Sequence, residues 1–423
     1  MKVSRREALK NGLFGVGLLS LRSIATGLPA SVLLSPGEAL SEPRNPAAKP
    51  GRFLVLSLST SGDPLNANAP GSYESGVAHP PDPLFAAVPI RLAQKRLVAA
   101  RVWSRFPQKL MDRTVFFHHA TGQISHPSLP TLLEVGKDAV SAPVLFAQDL
   151  ATRLSAVSPL PLLLGADEVL YARGERLPRI LPLQFRDLLQ TGQTSVTRLE
   201  ALREDTLSRL SRMRTFQKNK QAFSAQTAQE AKRLGQQLAA DLSQIKDDGP
   251  TAQVIAAAIA IRLGLSPVVA IRIPFGGDNH FDAGLQQEAK EYRSGVEAVA
   301  LLWEKLSAYG MADRTCFAHM SVFGRTLKRQ GLVGRDHWAL HNTALLQGAA
   351  FSGGVVGGIV ARDGDFAAQA IDGKTGAPHD GADISASEST PALLHTLGTA
   401  LGVSQPTLLQ NLPTAKLCRS CLV

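Results

Sequence analysis

The chain has 423 residues, 44% hydrophobic and 19% charged, with a formal net charge of +10. This is the composition of a globular protein, long enough for one large α/β domain or two or three smaller ones. Three cysteines exclude a disulfide framework, and the lack of a basic patch interleaved with aromatics excludes nucleic acid as the expected partner.

The N-terminus opens with Ser4-Arg5-Arg6-Glu7-Ala8-Leu9-Lys10, followed by a weakly apolar stretch from Gly12 to Leu21. It reads as a twin-arginine export signal, with Ala8 where the pattern usually has Phe. The apolar stretch is too short to cross a bilayer as a helix. We therefore expect a signal over residues 1–39, engagement of the twin-arginine translocase and a periplasmic location. Membrane attachment follows only if the signal stays uncleaved. Lys2, Arg5, Arg6, Lys10 and Arg22 against Glu7 and Glu38 give this segment a net +3, leaving +7 for the remainder. That surplus favours anionic small molecules in a general way. Residues 40–51, rich in Pro, Ala and charge, read as a linker.

A single domain is expected over residues 52–423. Apolar, β-branched runs predict strands at 52–58, 114–118, 267–273, 314–320, 344–347 and 355–360. Helical spacing predicts helices at 89–106, 129–137, 145–157, 184–189, 251–263, 284–309 and 390–401. Strands alternating with helices predict a mostly parallel sheet covered on both faces. Residues 196–247 depart from this pattern, with Leu199, Leu202, Leu207 and Leu210 at helical spacing, and read as a helical insertion. No P-loop appears; the glycines around Gly353–Gly358 alternate with valines and lack a following Lys-Ser/Thr, so nucleotide binding is not expected.

Four loops carry residues suited to chemistry. Asp63 follows the first strand, where open α/β sheets place ligand-binding groups, although it equally caps the turn before Pro64. Ser125-His126-Pro127-Ser128 leads into a helix start, where Ser125 is either a nucleophile in the helix field or an N-cap. Asp278 and His280, two apart after the strand at 267–273, point alike in an extended segment and suit one metal ion. Asp282 opens the next helix as its cap. Arg325 and Arg335 bind an oxyanion bidentately or pair with carboxylates. Asp336 and His337 reach a metal together only from a loop, with His341, His379 and His395 as candidates to complete it. Cys316 lies in an apolar run. Cys418 and Cys421 have C-x-x-C spacing without a second pair, which leaves a local disulfide open and excludes a zinc site built on cysteines alone.

These motifs resemble the bacterial family called domain of unknown function 1501, of the alkaline phosphatase and sulfatase superfamily. The resemblance rests on Ser61-Gly62-Asp63, Ser125-His126, Gly276-Gly277-Asp278-Asn279-His280, Ser321-Val322-Phe323-Gly324-Arg325 and Gly334-Arg335-Asp336-His337. It implies an alkaline phosphatase-like three-layer α/β sandwich. It also implies divalent metal (Zn, Mn, Mg or Ca), one ion on Asp63, Asp336 and His337 and a second on Asp278 and His280. Ser125 would be the nucleophile and Arg325 a catalytic cation. The implied activity is hydrolysis of a phosphate or sulfate ester. The chain departs from the family pattern at Val322, commonly Glu, at Gly277, commonly Trp, and at Pro64, commonly Gly. Loss of the Val322 carboxylate leaves an alternative: a non-catalytic envelope protein that retains the scaffold for binding or assembly.

Overall fold

The computed structural model describes residues 51–136, 138, 140–165, 169–190, 233–328 and 334–423. The expected signal (1–39), nearly all of the linker and residues 196–232 of the expected insertion lie outside the described residues.

β1 (Phe53–Ser59) is buried at all seven positions, as a strand covered on both faces must be. With it run β2 (Thr114–His119), β3 (Leu162–Leu164), β4 (Arg179–Ile180), β5 (Val268–Ile271), β6 (Thr315–Ser321), β7 (Asn342–Gly348) and β8 (Gly354–Val356). They form one eight-stranded sheet in the order β4-β3-β5-β1-β6-β7-β2-β8. β7 is antiparallel to both neighbours and the other pairs are parallel, so the fold is mixed α/β with a mostly parallel sheet. β1 and β6 pair along their full length, from Phe53 opposite Thr315 to Ser59 opposite Ser321.

Four longer helices pack on this sheet: α1 (Ala142–Leu154), α2 (Pro250–Arg262), α3 (Gln286–Ala308) and α4 (Ser389–Leu401). α2 starts with Pro250 in its first turn and is buried from Ala252 to Ile261, a helix apolar all round because it sits inside the protein. α3 instead buries a stripe through Tyr292, Val296, Val299 and Trp303. Tyr292 meets Trp103, whose ring also lies on Phe116 of β2. His119, three residues along β2, bonds Thr390 of α4. Side chains an odd number of positions apart on a strand point to opposite faces, so α3 and α4 cover different faces of the sheet. Each fully buried aliphatic side chain in these layers contributes about 1.5–3 kcal/mol.

Three expectations change, the first at 129–137, where the helix stops at Leu133 and Glu134–Val135 pairs with Val140–Ser141. Residues 89–106 are not a helix: Ala87–Leu92 and Lys95–Ala100 pair as an antiparallel hairpin, followed by a 3-10 turn at Arg101–Arg105. Pro89 and the alternation of exposed Arg91 with buried Ile90 and Leu92 favour the strand, and Ala93 turns with φ 50°. The expected strand at 355–360 is two strands, β8 and Ile359–Arg362, because Gly357 breaks it with φ 72°.

The described residues divide into two compact units. One comprises 51–180 and 249–423 and holds the whole sheet. The other comprises 181–190 and 233–248, with helical turns at 182–190 and 233–244. Within it Arg186 Nη1 donates to the Ile245 carbonyl at 2.9 Å, and Leu183 N donates to Asp248 Oδ1 at 2.9 Å. Residues 233–247 of the expected insertion belong here.

Candidate metal centre

β1, β2, β5 and β6 end at one rim of the sheet, and β7 begins there because it runs the other way. The loops 60–64, 120–128, 272–282, 322–325 and 334–341 therefore meet at that rim. There, one ligand atom each from His126, Asp278 and His337 lies within 4.8 Å of the others.

Backbone carbonyls fix both imidazoles. His126 Nδ1 is 2.6 Å from the Thr60 oxygen and His337 Nδ1 is 2.6 Å from the Ile124 oxygen. A carbonyl only accepts, so each Nδ1 carries the proton and each Nε2 presents a lone pair. His126 Nε2 stands 3.6 Å from Asp278 Oδ2. His337 Nε2 is buried and has no hydrogen-bond partner among the described residues. Histidines held by the far nitrogen with the near one free are the arrangement metal ligands adopt. Phe323 walls the site, with its ring 4.1 Å from that of His337 and 5.1 Å from that of His126. Gly62, at φ +67°, makes room for it: a Cβ there would lie 1.8 Å from the Phe323 ring.

Arg325, fully buried, is the clamp of the site. Its Nε donates to the Gly62 carbonyl, Nη2 to the Ser61 carbonyl and to Asp278 Oδ1 at 2.8 Å, and Nη1 to the Arg335 carbonyl and His280 Nε2 at 3.2 Å. All five N–H groups are thus engaged within the protein. Burial works to raise the Asp278 pKa, but the hydrogen bond and charge of Arg325 outweigh it, and the carboxyl is held below its ordinary value. Burial lowers the His337 pKa, against the pull of the Ile124 carbonyl. Both shifts favour the forms that bind a cation.

The other expected residues stand around this triad. His280 Nε2 faces Arg325, and its Nδ1 lies 3.6 Å from Asp336 Oδ1, so its acceptor nitrogen is already used. The Asp336 side chain is 62% exposed and accepts from the His337 backbone N–H. Asp63 is buried: Oδ1 accepts from Gly277 N at 2.9 Å, while Oδ2 lies 3.7 Å from His319 Nε2. Burial raises its pKa. Gly277 has φ +58°, a left-handed conformation that favours glycine, which explains a glycine there. Ser125 is exposed and sits beside His126 in sequence, without capping the short 3-10 helix that follows. His341 is buried against His118 at 2.9 Å, His379 is exposed, and His395 bonds the Ala415 carbonyl. Asp282 accepts from Gln286 N and Glu288 N and so caps α3.

Sequence reasoning missed two participants. His126 lay in the Ser125-His126 motif, but attention went to the hydroxyl. Glu288, inside α3, carries no sequence signature, yet it pairs with Arg335 at 2.7 Å with both side chains fully buried. It also accepts from Asn68 at 2.7 Å and from Asn279 at 2.7 Å. Asn279 lies between Asp278 and His280, and Arg335 precedes Asp336. One carboxylate therefore ties together the two loops that bear Asp278 and His337.

A cavity of about 590 Å³ adjoins these loops, lined by Thr121, Gln123, Ala339, Leu340 and Arg362 among others. A larger one, about 890 Å³, lies at the opposite strand ends near Asp313 and Gly348; neither cavity is lined by a residue of the triad.

Comparison with curated proteins finds no match to this chain. Residues 179–372, the stretch that contains Asp278, His280, Arg325, Asp336 and His337, match the family model described as Protein of unknown function (DUF1501).

Proposed function

We propose that the protein is an exported, metal-dependent hydrolase of phosphate or sulfate esters, with an alkaline phosphatase-like fold. One divalent ion would be held by His126, Asp278 and His337. The observation that carries this reading is the buried, unpartnered His337 Nε2 facing the same space as Asp278 and His126. Three protein ligands leave a coordination position open, as catalytic sites require. A divalent ion bound there polarises an ester oxygen and acidifies a water. Arg325 keeps the Asp278 carboxylate ionised and fixed in direction. With no N–H to spare, it positions the ligand and does not meet an oxyanion. Phe323 closes one side to solvent. The Ser125 hydroxyl is the protein nucleophile nearest in sequence to a ligand.

Metal-loaded protein should turn over at least one of three classes: phosphate monoesters, phosphate diesters or aryl sulfates. Asp278→Ala should lower kcat/KM more than about 100-fold, since the Lewis acid supplies several kcal/mol. Turnover unchanged in that variant would reject the proposal. The full engagement of Arg325, together with the apolar, buried Val322, favours a second reading: a scaffold that binds without turnover. Bound metal with no hydrolysis of any of the three classes is its signature.

Export is part of the same proposal, motivated by Arg5-Arg6 and the apolar stretch behind them. A folded reporter carrying residues 1–39 should leave the cytoplasm, and Arg5→Lys with Arg6→Lys should hold it there. Equal export of both reporters would contradict it.

A further inference from the structure

Away from the rim, Cys418 is the N-cap and Cys421 the last residue of the short 3-10 helix Arg419–Cys421. Both are buried, at 0% and 2% exposure. The Cys421 thiol lies 3.5 Å from the Cys418 carbonyl oxygen, and Cys418 Sγ lies 3.2 Å from the Ser420 hydroxyl. A 3-10 turn has three residues per turn, so side chains three positions apart, as Cys418 and Cys421 are, lie on one side of it. Backbone bonds hold the segment in place: Cys418 N to Thr396 Oγ1, Arg419 N to the Gly373 carbonyl and Ser352 N to the Cys421 carbonyl. Leu422 bridges to Phe351.

We propose that Cys418 and Cys421 form a redox-active dithiol that closes to a local disulfide when it meets a small-molecule disulfide of the glutathione type. The two thiols are unequal. The neighbouring Cys421 thiol, with the Ser420 hydroxyl, draws the Cys418 pKa below the usual thiol value, whereas the Cys418 sulfur and burial raise that of Cys421. Cys418 is thus the attacking group, because the thiolate is the nucleophile. Its sulfur attacks glutathione disulfide, forming a mixed disulfide and releasing one glutathione thiolate, which takes up a proton. Cys421 then loses its proton, and its sulfur attacks that of Cys418 and expels the second glutathione. The protein dithiol loses two hydrogens, and one glutathione disulfide becomes two thiols. Because both sulfurs are buried, reaction requires local opening of residues 417–423. The third cysteine serves as an internal control: Cys316 is buried in β6, and burial pushes its pKa up to about 12.

Native protein is equilibrated with glutathione and glutathione disulfide at several ratios, quenched in acid and alkylated in urea. Under oxidising ratios the expected mass shows one alkyl group, on Cys316, rising to three after reduction. Tryptic cleavage after Lys416 and Arg419 should give residues 417–419 joined to residues 420–423. Since the fold holds the sulfurs together, the equilibrium constant should exceed that of the urea-unfolded chain by at least about tenfold. Cys418→Ser should show two alkyl groups at every ratio, and Cys421→Ala provides the same control should that variant fail to fold. Three alkyl groups on native wild-type protein at every ratio would overturn the proposal. So would an equilibrium constant no larger than that of the unfolded chain, a comparison that needs no variant.

Discussion

Lowering the pH from 7 to 4.5 should remove roughly 2–3 kcal/mol of stability for each of three buried histidines, since one pKa unit corresponds to about 1.4 kcal/mol. His118, His119 and His319 are fully buried, and burial pushes their pKa values down to about 4, 3 and 3. In the unfolded chain the same imidazoles take up protons near pH 6.5. Between these values the unfolded state binds more protons than the native one, so stability falls as pH falls. The loss begins near 6.5 and runs on to about 4 for His118 and about 3 for the other two. Burial outweighs the bond from His118 Nε2 to the Pro70 carbonyl, which taken alone favours the charged ring. Asp63 acts in the opposite sense, because its raised pKa lets the native state take up a proton first. Asp365, also raised by burial, acts with Asp63, but buried His341 adds a fourth depressed imidazole on the other side. Together the histidines represent a large share of the 5–15 kcal/mol typical of a folded protein. Urea unfolding at pH 7 and 4.5 measures the difference, and His119→Asn should flatten the profile. Equal stability at both pH values would show that these rings are not held neutral.

Glu288→Ala is expected to cost about 3–5 kcal/mol, the usual penalty for leaving one member of a buried ion pair without its partner. Arg335 would keep only carbonyl acceptors, those of Thr326, Leu327 and Ala78. Asn68 and Asn279 would each lose a charged acceptor as well. Replacing Glu288 and Arg335 together by Leu should cost less than the two single changes added, since no uncompensated charge remains. Chemical denaturation of the four proteins tests this, and strict additivity would contradict it. Because Glu288 also fixes the loops of Asp278 and His337, the single variant should weaken metal binding besides.

Six of the eight strands were legible from their apolar runs, whereas β3 and β4, three and two residues long, are too short to show one. Runs such as Phe53-Leu54-Val55-Leu56 leave little alternative, and the long helices have clear periodicity. The hairpin at 87–100 was misread because Ile90, Ala93, Leu97 and Ala100, spaced three and four apart, fit a helix as well as an alternating strand. At the rim, the sequence singled out Asp278 and His337 as ligand types beside glycines. It did not reveal how Arg325, His280 and Asp278 share hydrogen bonds, because each contact spans about fifty positions of chain. For the same reason Glu288, a helix residue with no local partner, was invisible until its loops were in place. The turn that sets Asp63 against His319 arises from the pairing of β1 with β6, and that register is tertiary information.

Titration of purified, metal-stripped protein with Zn²⁺ and Mn²⁺, read by calorimetry, addresses the shared cation site most directly. Wild-type protein should bind one ion, and His126→Ala, Asp278→Ala and His337→Ala should each weaken binding more than about 100-fold, beyond what outer-shell changes produce. Asp336→Ala, whose side chain is mostly exposed, should retain binding. Negligible binding by the wild type, or equal loss in Asp336→Ala and His337→Ala, would contradict a centre built on the two carbonyl-anchored imidazoles.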